Sequence, residues 1–162
     1  MVEMRTRHLL EDQIFHVTEA AWKVLDRFSR TNPGAGKTPE TAPCRYMKDV
    51  FMLAVYLGAK DGRPRELNGK RRDPIRGSAF THEEQLMLRA IAVGHTGDPE
   101  VMADAQKIVR VAEQFANAGV WKLEEIFTRS PEGALWNLAD FFLDDLGQRP
   151  SATAEQALSP GS

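Results

Sequence analysis

The feature that most constrains the fold of this chain is the spacing of its apolar residues, which recur every three or four positions over most of its length. Such spacing puts apolar side chains on one face of an α-helix, because a helix turns once every 3.6 residues or so. Residues 6–30 form the first amphipathic run, and further runs follow Thr81 and Asp98. No alternating apolar–polar stretch of useful length occurs, so the sequence predicts an all-α fold.

Local signals predict where several of these helices begin and end. Thr81 and Glu84 form a T-x-x-E capping box, which marks a helix start. Asp98 is suited to the N-cap of the next helix, with Pro99 at its first position. Gly119 is placed to end that helix, since glycine adopts the left-handed conformation common just after a helix.

The remaining segments divide into helices and loops. Residues 46–62 are apolar almost all round and predict a helix enclosed by its neighbours. A short helix is expected over 121–127, and Ser130 with Pro131 is expected to open another. Loops rich in Gly and Pro should separate them, the longest over 61–80. We therefore expect five or six helices in a single compact domain.

The C-terminal limit of the domain is predicted from the point after which the sequence contains few apolar residues. Residues 1–146 are predicted to form the helical domain. Residues 147–162 have almost nothing to bury and are predicted to be a disordered tail.

Composition narrows the setting in which the chain works. Charged residues make up 27% and hydrophobic ones 42%, an ordinary balance for a soluble globular protein. The net charge of −2 means that any surface attracting nucleic acid must be local. The N-terminus is too charged for a signal peptide, and no apolar run approaches the length needed to span a bilayer. We expect a cytoplasmic protein with no membrane contact.

The stretch "TNPGAGKTP", residues 31–39, resembles half of a phosphate-binding P-loop. Gly36, Lys37 and Thr38 match the end of the motif, but Thr31 stands where its first glycine is required. The stretch also follows an amphipathic helix, whereas a P-loop follows a buried strand. The pattern favours a linker between helices over a nucleotide site.

Other residue types that carry chemistry do not form a recognisable constellation in the sequence. The four histidines include no pair at i, i+4 spacing, and the carboxylates are typical of solvated helix faces. Cys44, the only cysteine, lies near Arg45 and Lys48, whose charges favour a lowered thiol pKa, but it has no evident partner base. We therefore predict no catalytic residue, no metal site, no cofactor and no enzymatic activity.

Residues 60–76, which we call the basic segment, carry seven Lys and Arg in seventeen positions of an otherwise acidic chain. Basic residues on an exposed connection can contact phosphates without reading bases. The alternative is that they pair with acidic helix faces of the chain, such as Asp144 and Asp145, or with an acidic patch of a partner. No aromatic residue interleaves the run, so a stacking platform for single strands is not expected. The candidate binding residues are Arg63, Arg65, Lys70, Arg71, Arg72 and Arg76.

Three stretches resemble one protein family. "YMKDVFMLAVYLGAKDGRPREL", "DPIRGSAF" and "VAEQFANAGVWKLEEIF" are similar to DNA phosphorothioation (Dnd) system-associated protein 4 over about residues 45–128. The family's late tyrosine-alanine-asparagine-glycine-glycine block is altered here to Phe115 and to Ala118 before Gly119, which indicates a diverged member. Lys48-Asp49 and Asn117 are expected at capping or turn positions, so these blocks are either a packing motif or a docking face.

The resemblance implies a role in bacterial defence against foreign DNA, since such proteins are encoded beside DNA modification and restriction genes. It carries over no catalytic motif. The first hypothesis is a non-enzymatic accessory subunit of a restriction or anti-phage complex, which docks on a larger effector of its operon and contacts DNA through the basic segment. The alternatives are an antitoxin-like inhibitor of a toxic partner and, less favoured because no metal or nucleophile constellation is visible, a small nuclease.

Overall fold

The computed structural model describes residues 8–32, 34 and 36–147, and this part of the chain is mostly helical. Residues 148–162 of the predicted tail lie outside it. In chain order the elements are β1 (Ile14–Thr18), α1 (Glu19–Phe28), α2 (Met47–Asp61), β2 (Arg71–Arg76), a 3-10 turn (Gly77–Ala79), α3 (His82–Thr96), a second 3-10 turn (Pro99–Ala103), α4 (Ala105–Phe127) and α5 (Ala134–Asp145).

The prediction of an all-α fold is wrong in one respect, because β1 and β2 pair as a two-stranded antiparallel sheet. Phe15 lies opposite Ile75, and Val17 lies opposite Arg72. One residue of β1 therefore faces two residues of β2 between these pairs, which is a β-bulge. Pro74 lies in the bulge, a position that tolerates a residue without an N–H.

The predicted first helix begins later than expected. Within its predicted range, residues 8–12 form turns and residues 14–18 form β1, whose Phe15 and Val17 are buried with the alternation of a strand. Thr18 ends the strand and caps α1, and its hydroxyl accepts a hydrogen bond from the Ala21 N–H at 3.1 Å. The apolar spacing across residues 14–21 fits both a strand followed by a helix and one continuous helix.

The centre of the core is the crossing of α2 and α4. Gly58 of α2 lies against the main chain of Phe115, and Gly119 of α4 lies against the main chain of Ala54. A Cβ at Gly119 would come within 1.9 Å of the Ala54 carbonyl oxygen, so only glycine permits this approach. The prediction that Gly119 ends a helix is therefore wrong, and α4 continues through it to Phe127.

Aromatic rings fasten the sheet to this helix pair. Phe15 of β1 meets Phe51 of α2 at a ring-centroid distance of 5.7 Å and Phe80, just after β2, at 5.0 Å. Phe51 and Phe80 lie 6.0 Å apart, which completes a cluster of three rings. The start of β1 and the end of β2 are thereby fixed on α2.

Helix boundaries follow local capping where the signals are strong. The predicted capping box is present, with Thr81 accepting from the Glu84 N–H at 3.2 Å and Glu84 accepting from the Thr81 N–H at 2.8 Å. Asp98 caps the second 3-10 turn, whereas the N-cap of α4 is Asp104. The last helix begins after Gly133, not at Pro131 as predicted. None of the described helices is both long enough and apolar enough to cross a membrane.

Candidate functional site

The basic segment, predicted to be a loop, consists of three parts in the structure. Lys60 and Asp61 end α2, residues 62–70 form an irregular connection, and residues 71–76 are β2. The connection lies against α4, so its cations are held on the folded core of the protein. Some basic side chains of this segment pair with other residues of the chain, and others are exposed.

Lys60 pairs with an acidic residue of the last helix. Its ammonium group forms a salt bridge with Asp145 of α5 and lies 5.8 Å from the ring centre of Phe141. Tyr56, one turn earlier on α2, donates its hydroxyl to the same Asp145 carboxylate at 3.1 Å. For Lys60, the interpretation that the basic residues pair with acidic helix faces is correct.

The connection is held to α4 through its main chain. The Arg65 N–H donates to the Gln114 carbonyl at 3.0 Å. The side-chain amide of Asn117 donates to the carbonyls of Glu66 at 2.9 Å and Arg65 at 3.3 Å, and Leu67 is buried beside them. Asn117 was expected at a cap or turn. It lies instead in the interior of α4, where it fixes the connection and leaves the side chain of Arg65 directed to solvent.

Arg71 and Arg72 have partners within the chain. The Arg72 guanidinium lies 3.7 Å from the ring centre of Trp22, and its Nη1 is 3.3 Å from Glu19 Oε1. The Arg71 Nη2 donates to the Leu67 carbonyl at 3.2 Å. These contacts join β2 to α1 and close the turn before β2, so both arginines contribute to packing.

Four candidate binding residues remain available to a ligand. Within the described part of the chain, their side chains have no hydrogen-bonding or ion-pairing partner, and each is exposed. They are Arg63, Arg65, Lys70 and Arg76.

Two of these cations line a groove that also contains a tryptophan. The groove has a volume of about 310 Å³ and lies between the connection, the start of α1 and α4. Trp121 of α4, 37% exposed, forms one side of it, and we call it the Trp121 groove. Its lining residues are Thr18, Glu19, Ala20, Arg65, Glu66, Asn68, Lys70, Asn117 and Trp121.

Sequence reasoning missed Trp121 as a site residue. The basic segment contains no aromatic residue, and Trp121 lies far along the chain, in a run that reads as an ordinary helix. Its position four residues after Asn117 puts both side chains on the same face of α4. Since Asn117 binds the connection, the four-residue spacing of Asn117 and Trp121 indicates that Trp121 lies near the basic segment.

The described residues of the P-loop-like stretch, namely 31, 32, 34 and 36–39, lie in the linker between α1 and α2. Lys37 Nζ donates to the carbonyls of Asp26 at 2.6 Å and Asn32 at 3.0 Å. Lysine near the end of a helix stabilises its unpaired carbonyls. Lys37 therefore closes the turn after α1.

Cys44 is a buried, protonated thiol. Burial raises its pKa to about 12, the nearby Asp49 carboxylate adds to the rise, and Arg30 opposes it. The expectation that neighbouring cations lower this pKa is wrong, because desolvation of the thiolate dominates. Across residues 8–32, 34 and 36–147, no three His, Cys, Asp or Glu side chains come together as potential metal ligands.

Glu113 of α4 is a partly buried carboxylate behind the sheet. It accepts hydrogen bonds from the His16 N–H at 2.5 Å and lies 3.1 Å from His16 Nδ1. Burial raises its pKa, although the contacts with His16 and the charge of Arg71 act in the opposite direction. Since His16 of β1 lies opposite the bulge of β2, this carboxyl group fixes that part of the sheet on α4.

The sequence blocks that carry the family resemblance have structural roles. Asp49 caps α2 by accepting from the Tyr46 N–H at 3.1 Å, as expected. Gly58 and Gly119 form the crossing of α2 and α4, and Asn117 fixes the connection. The blocks are therefore a packing motif that also positions the basic segment.

Comparison with known proteins supports the family resemblance that these blocks carry. A family model described as DNA sulphur modification system-associated protein 4 matches residues 35–159. This span is wider than residues 45–128, which carry the stretches that resemble the family. No curated protein and no solved structure matches the chain.

Proposed function

Because the chain belongs to the family of DNA sulphur modification system-associated protein 4, whose model matches about three quarters of it, we propose that it is an accessory subunit of a bacterial DNA-defence complex. In this proposal it works in the cytoplasm and has no enzymatic activity of its own. It docks on a larger effector encoded in the same operon and contacts DNA through the basic segment.

The observation that carries the DNA contact is the set of four available cations. Arg63, Arg65 and Lys70 project from a connection whose main chain is bonded to α4, so their positions are held before a ligand arrives. Arg76 extends the same charge along β2. Cations of this kind bind phosphates and release counterions, which makes the affinity depend steeply on salt.

The non-enzymatic role is supported by what the most reactive groups do. Cys44 is protonated and buried, and Lys37 closes a turn. Glu113 accepts hydrogen bonds from His16 and holds the bulge. Each of these groups has a structural use in the folded chain.

DNA binding by a double variant tests the contact. Arg63→Ala/Lys70→Ala removes two available cations, and Lys107→Ala/Arg110→Ala removes two exposed cations of α4 as a matched control. We expect the first variant alone to lose affinity for duplex DNA, with the dependence of log K on log salt falling by about 2. Equal losses in both variants would mean that only net charge matters, and the basic segment would not be the DNA-binding surface.

Docking is tested by purifying the protein together with the products of its operon. We expect a larger protein to co-elute with the wild-type chain and with the double variant, since the proposal assigns Arg63 and Lys70 to the DNA contact. Activity of the effector with and without this chain then distinguishes an accessory subunit from an inhibitor. An effector that is more active alone would favour the antitoxin-like alternative.

A further inference from the structure

We propose that the Trp121 groove binds one unpaired nucleotide of a single-stranded nucleic acid, with its base stacked on Trp121 and its phosphate held by Arg65 and Lys70. This inference deepens the proposed function and rests on it. It specifies which part of the basic segment reads the nucleic acid and which form of nucleic acid is read.

The first support is the joint placement of an aromatic ring and two cations. Trp121, Arg65 and Lys70 line the same groove, although they come from α4 and from the connection. Proteins that bind single strands combine such rings, on which bases stack, with cations that follow the backbone. The missing aromatic residue of the basic segment is thus supplied by another element.

The second support is that the groove is held in shape. Asn117 lies one helical turn before Trp121 and bonds the carbonyls of Arg65 and Glu66. At the opposite wall the Glu19 N–H donates to the Lys70 carbonyl at 2.9 Å, which fixes the other end of the connection. The cations and the ring are therefore positioned relative to each other without a ligand, which lowers the entropic cost of binding.

The size and chemistry of the groove favour a single nucleotide. Its volume of about 310 Å³ lies at the lower end of the range for small-ligand sites, roughly 300–1,000 Å³. Asn68 adds an exposed amide group that can pair with base edges. A base within a duplex is covered by its neighbours on both faces, so only an unpaired base can stack on Trp121.

Two carboxylates also line the groove. Glu19 is paired with Arg72, so part of its charge is balanced within the chain. Glu66 is exposed beside Arg65 and repels an incoming phosphate. Glu66→Gln should consequently tighten the binding of a single strand by about 1.4- to 5-fold, the effect of removing the repulsion of one exposed charge. Unchanged affinity in this variant would place the phosphate outside the groove.

The main experiment compares two exposed tryptophans by the binding of a labelled oligothymidylate. Trp121→Ala should weaken binding about 5- to 160-fold, the effect of losing one stacked base. Trp136→Ala is the matched control, since Trp136 is 56% exposed on α5 and does not line the groove. Trp121→Phe keeps an aromatic face and should restore most of the affinity, which separates lost stacking from a fault in folding.

Fluorescence gives a second readout that does not depend on affinity. In a Trp22→Phe/Trp136→Phe background, Trp121 is the only remaining tryptophan. We expect oligothymidylate to quench its emission, because the base lies against the indole. Binding without quenching would overturn the stacked arrangement.

Parallel titrations with duplex DNA separate this inference from the proposed function. If duplex affinity falls in Arg63→Ala/Lys70→Ala while Trp121→Ala and Trp136→Ala bind oligothymidylate equally, the groove inference is wrong and the proposed DNA contact stands. If the wild-type protein binds neither nucleic acid, the proposed DNA contact is wrong and the inference fails with it.

Discussion

Gly119→Ala tests the closest contact in the core, where α2 and α4 cross. The added Cβ would lie 1.9 Å from the Ala54 carbonyl oxygen and 2.7 Å from the Gly58 nitrogen. An ordinary contact needs at least 3.4 Å, so the two helices would have to separate locally by about 1.5 Å. The opposing atoms belong to the main chain and cannot rotate away, as a side chain would.

The expected cost follows from two opposing effects. Overpacking a core costs about 1–3 kcal/mol when side chains can adjust, and contact with main chain on the partner helix puts this site at about 3 kcal/mol or more. Alanine favours a helix over glycine by about 1 kcal/mol. The net loss should be about 2 kcal/mol or more, a large part of the roughly 5–15 kcal/mol that stabilises an ordinary domain.

Urea unfolding followed by circular dichroism measures this loss. Gly94→Ala is the matched control, since Gly94 lies inside α3 and a Cβ there meets no atom within 4 Å. We expect the midpoint to fall for Gly119→Ala and to rise for Gly94→Ala by the equivalent of about 0.5–1 kcal/mol. If the two variants shift the midpoint alike, the helices do not meet as described.

Three further predictions concern single side chains. The unfolded Cys44 thiol ionises near pH 9.0 and the folded one near 12, so this group should lower the free energy of unfolding by about 1.4 kcal/mol per pH unit between them. In urea titrations of Cys44→Ala, the fall over this range should be smaller by that contribution. The Glu113 carboxyl ionises near pH 4.5 in the unfolded chain and at a higher pH in the folded one, so the free energy of unfolding should decrease as pH rises from about 4.5 through the raised pKa. Glu113→Gln should flatten this decrease. An unchanged slope in that variant would contradict the pKa shift. Asn117→Ala removes both hydrogen bonds to the connection and should lower the free energy of unfolding by about 1–3 kcal/mol. Amide hydrogen exchange over residues 63–70 should become faster. Unchanged exchange there would show that Asn117 does not hold the connection on α4.

Helix starts with local capping could be predicted from the sequence. The Thr81–Glu84 box and the Asp49 cap depend on residues three positions apart, and their geometry follows from that spacing. Asp98 was a less reliable signal, since Asp104 has the same capping chemistry a short distance later. Where two caps compete, packing of the following helix decides between them.

The sheet could not be predicted because neither strand carries a strong signal of its own. In β2 only Ile75 is buried, and the rest of "RRDPIR" is charged, proline or partly exposed. Across β1 and the start of α1, the spacing of Ile14, Val17 and Ala21 fits one continuous helix equally well. Pairing between segments more than fifty residues apart stabilises both strands, and such pairing leaves no trace in a local window.

The positive charge of the candidate site could be predicted from the sequence, but the side chains that remain available to a ligand could not. The cluster of cations is evident from the sequence. Which of them pair within the chain depends on distant residues, namely Glu19 for Arg72 and Asp145 for Lys60. The contribution of Trp121 likewise depends on how the connection lies on α4.

The pairing of β1 with β2 also bears on how relatives can be recombined. The stretch matched to the family begins at residue 35, after β1 and α1 have ended. Yet Phe15 belongs to the three-ring cluster, and Phe28 lies 4.4 Å from Phe127 between ring centres. A chimaera that exchanges only the matched stretch would set a foreign β2 and α4 against these two rings. The unit to exchange therefore starts with β1, so that each strand travels with the partner to which it is fitted.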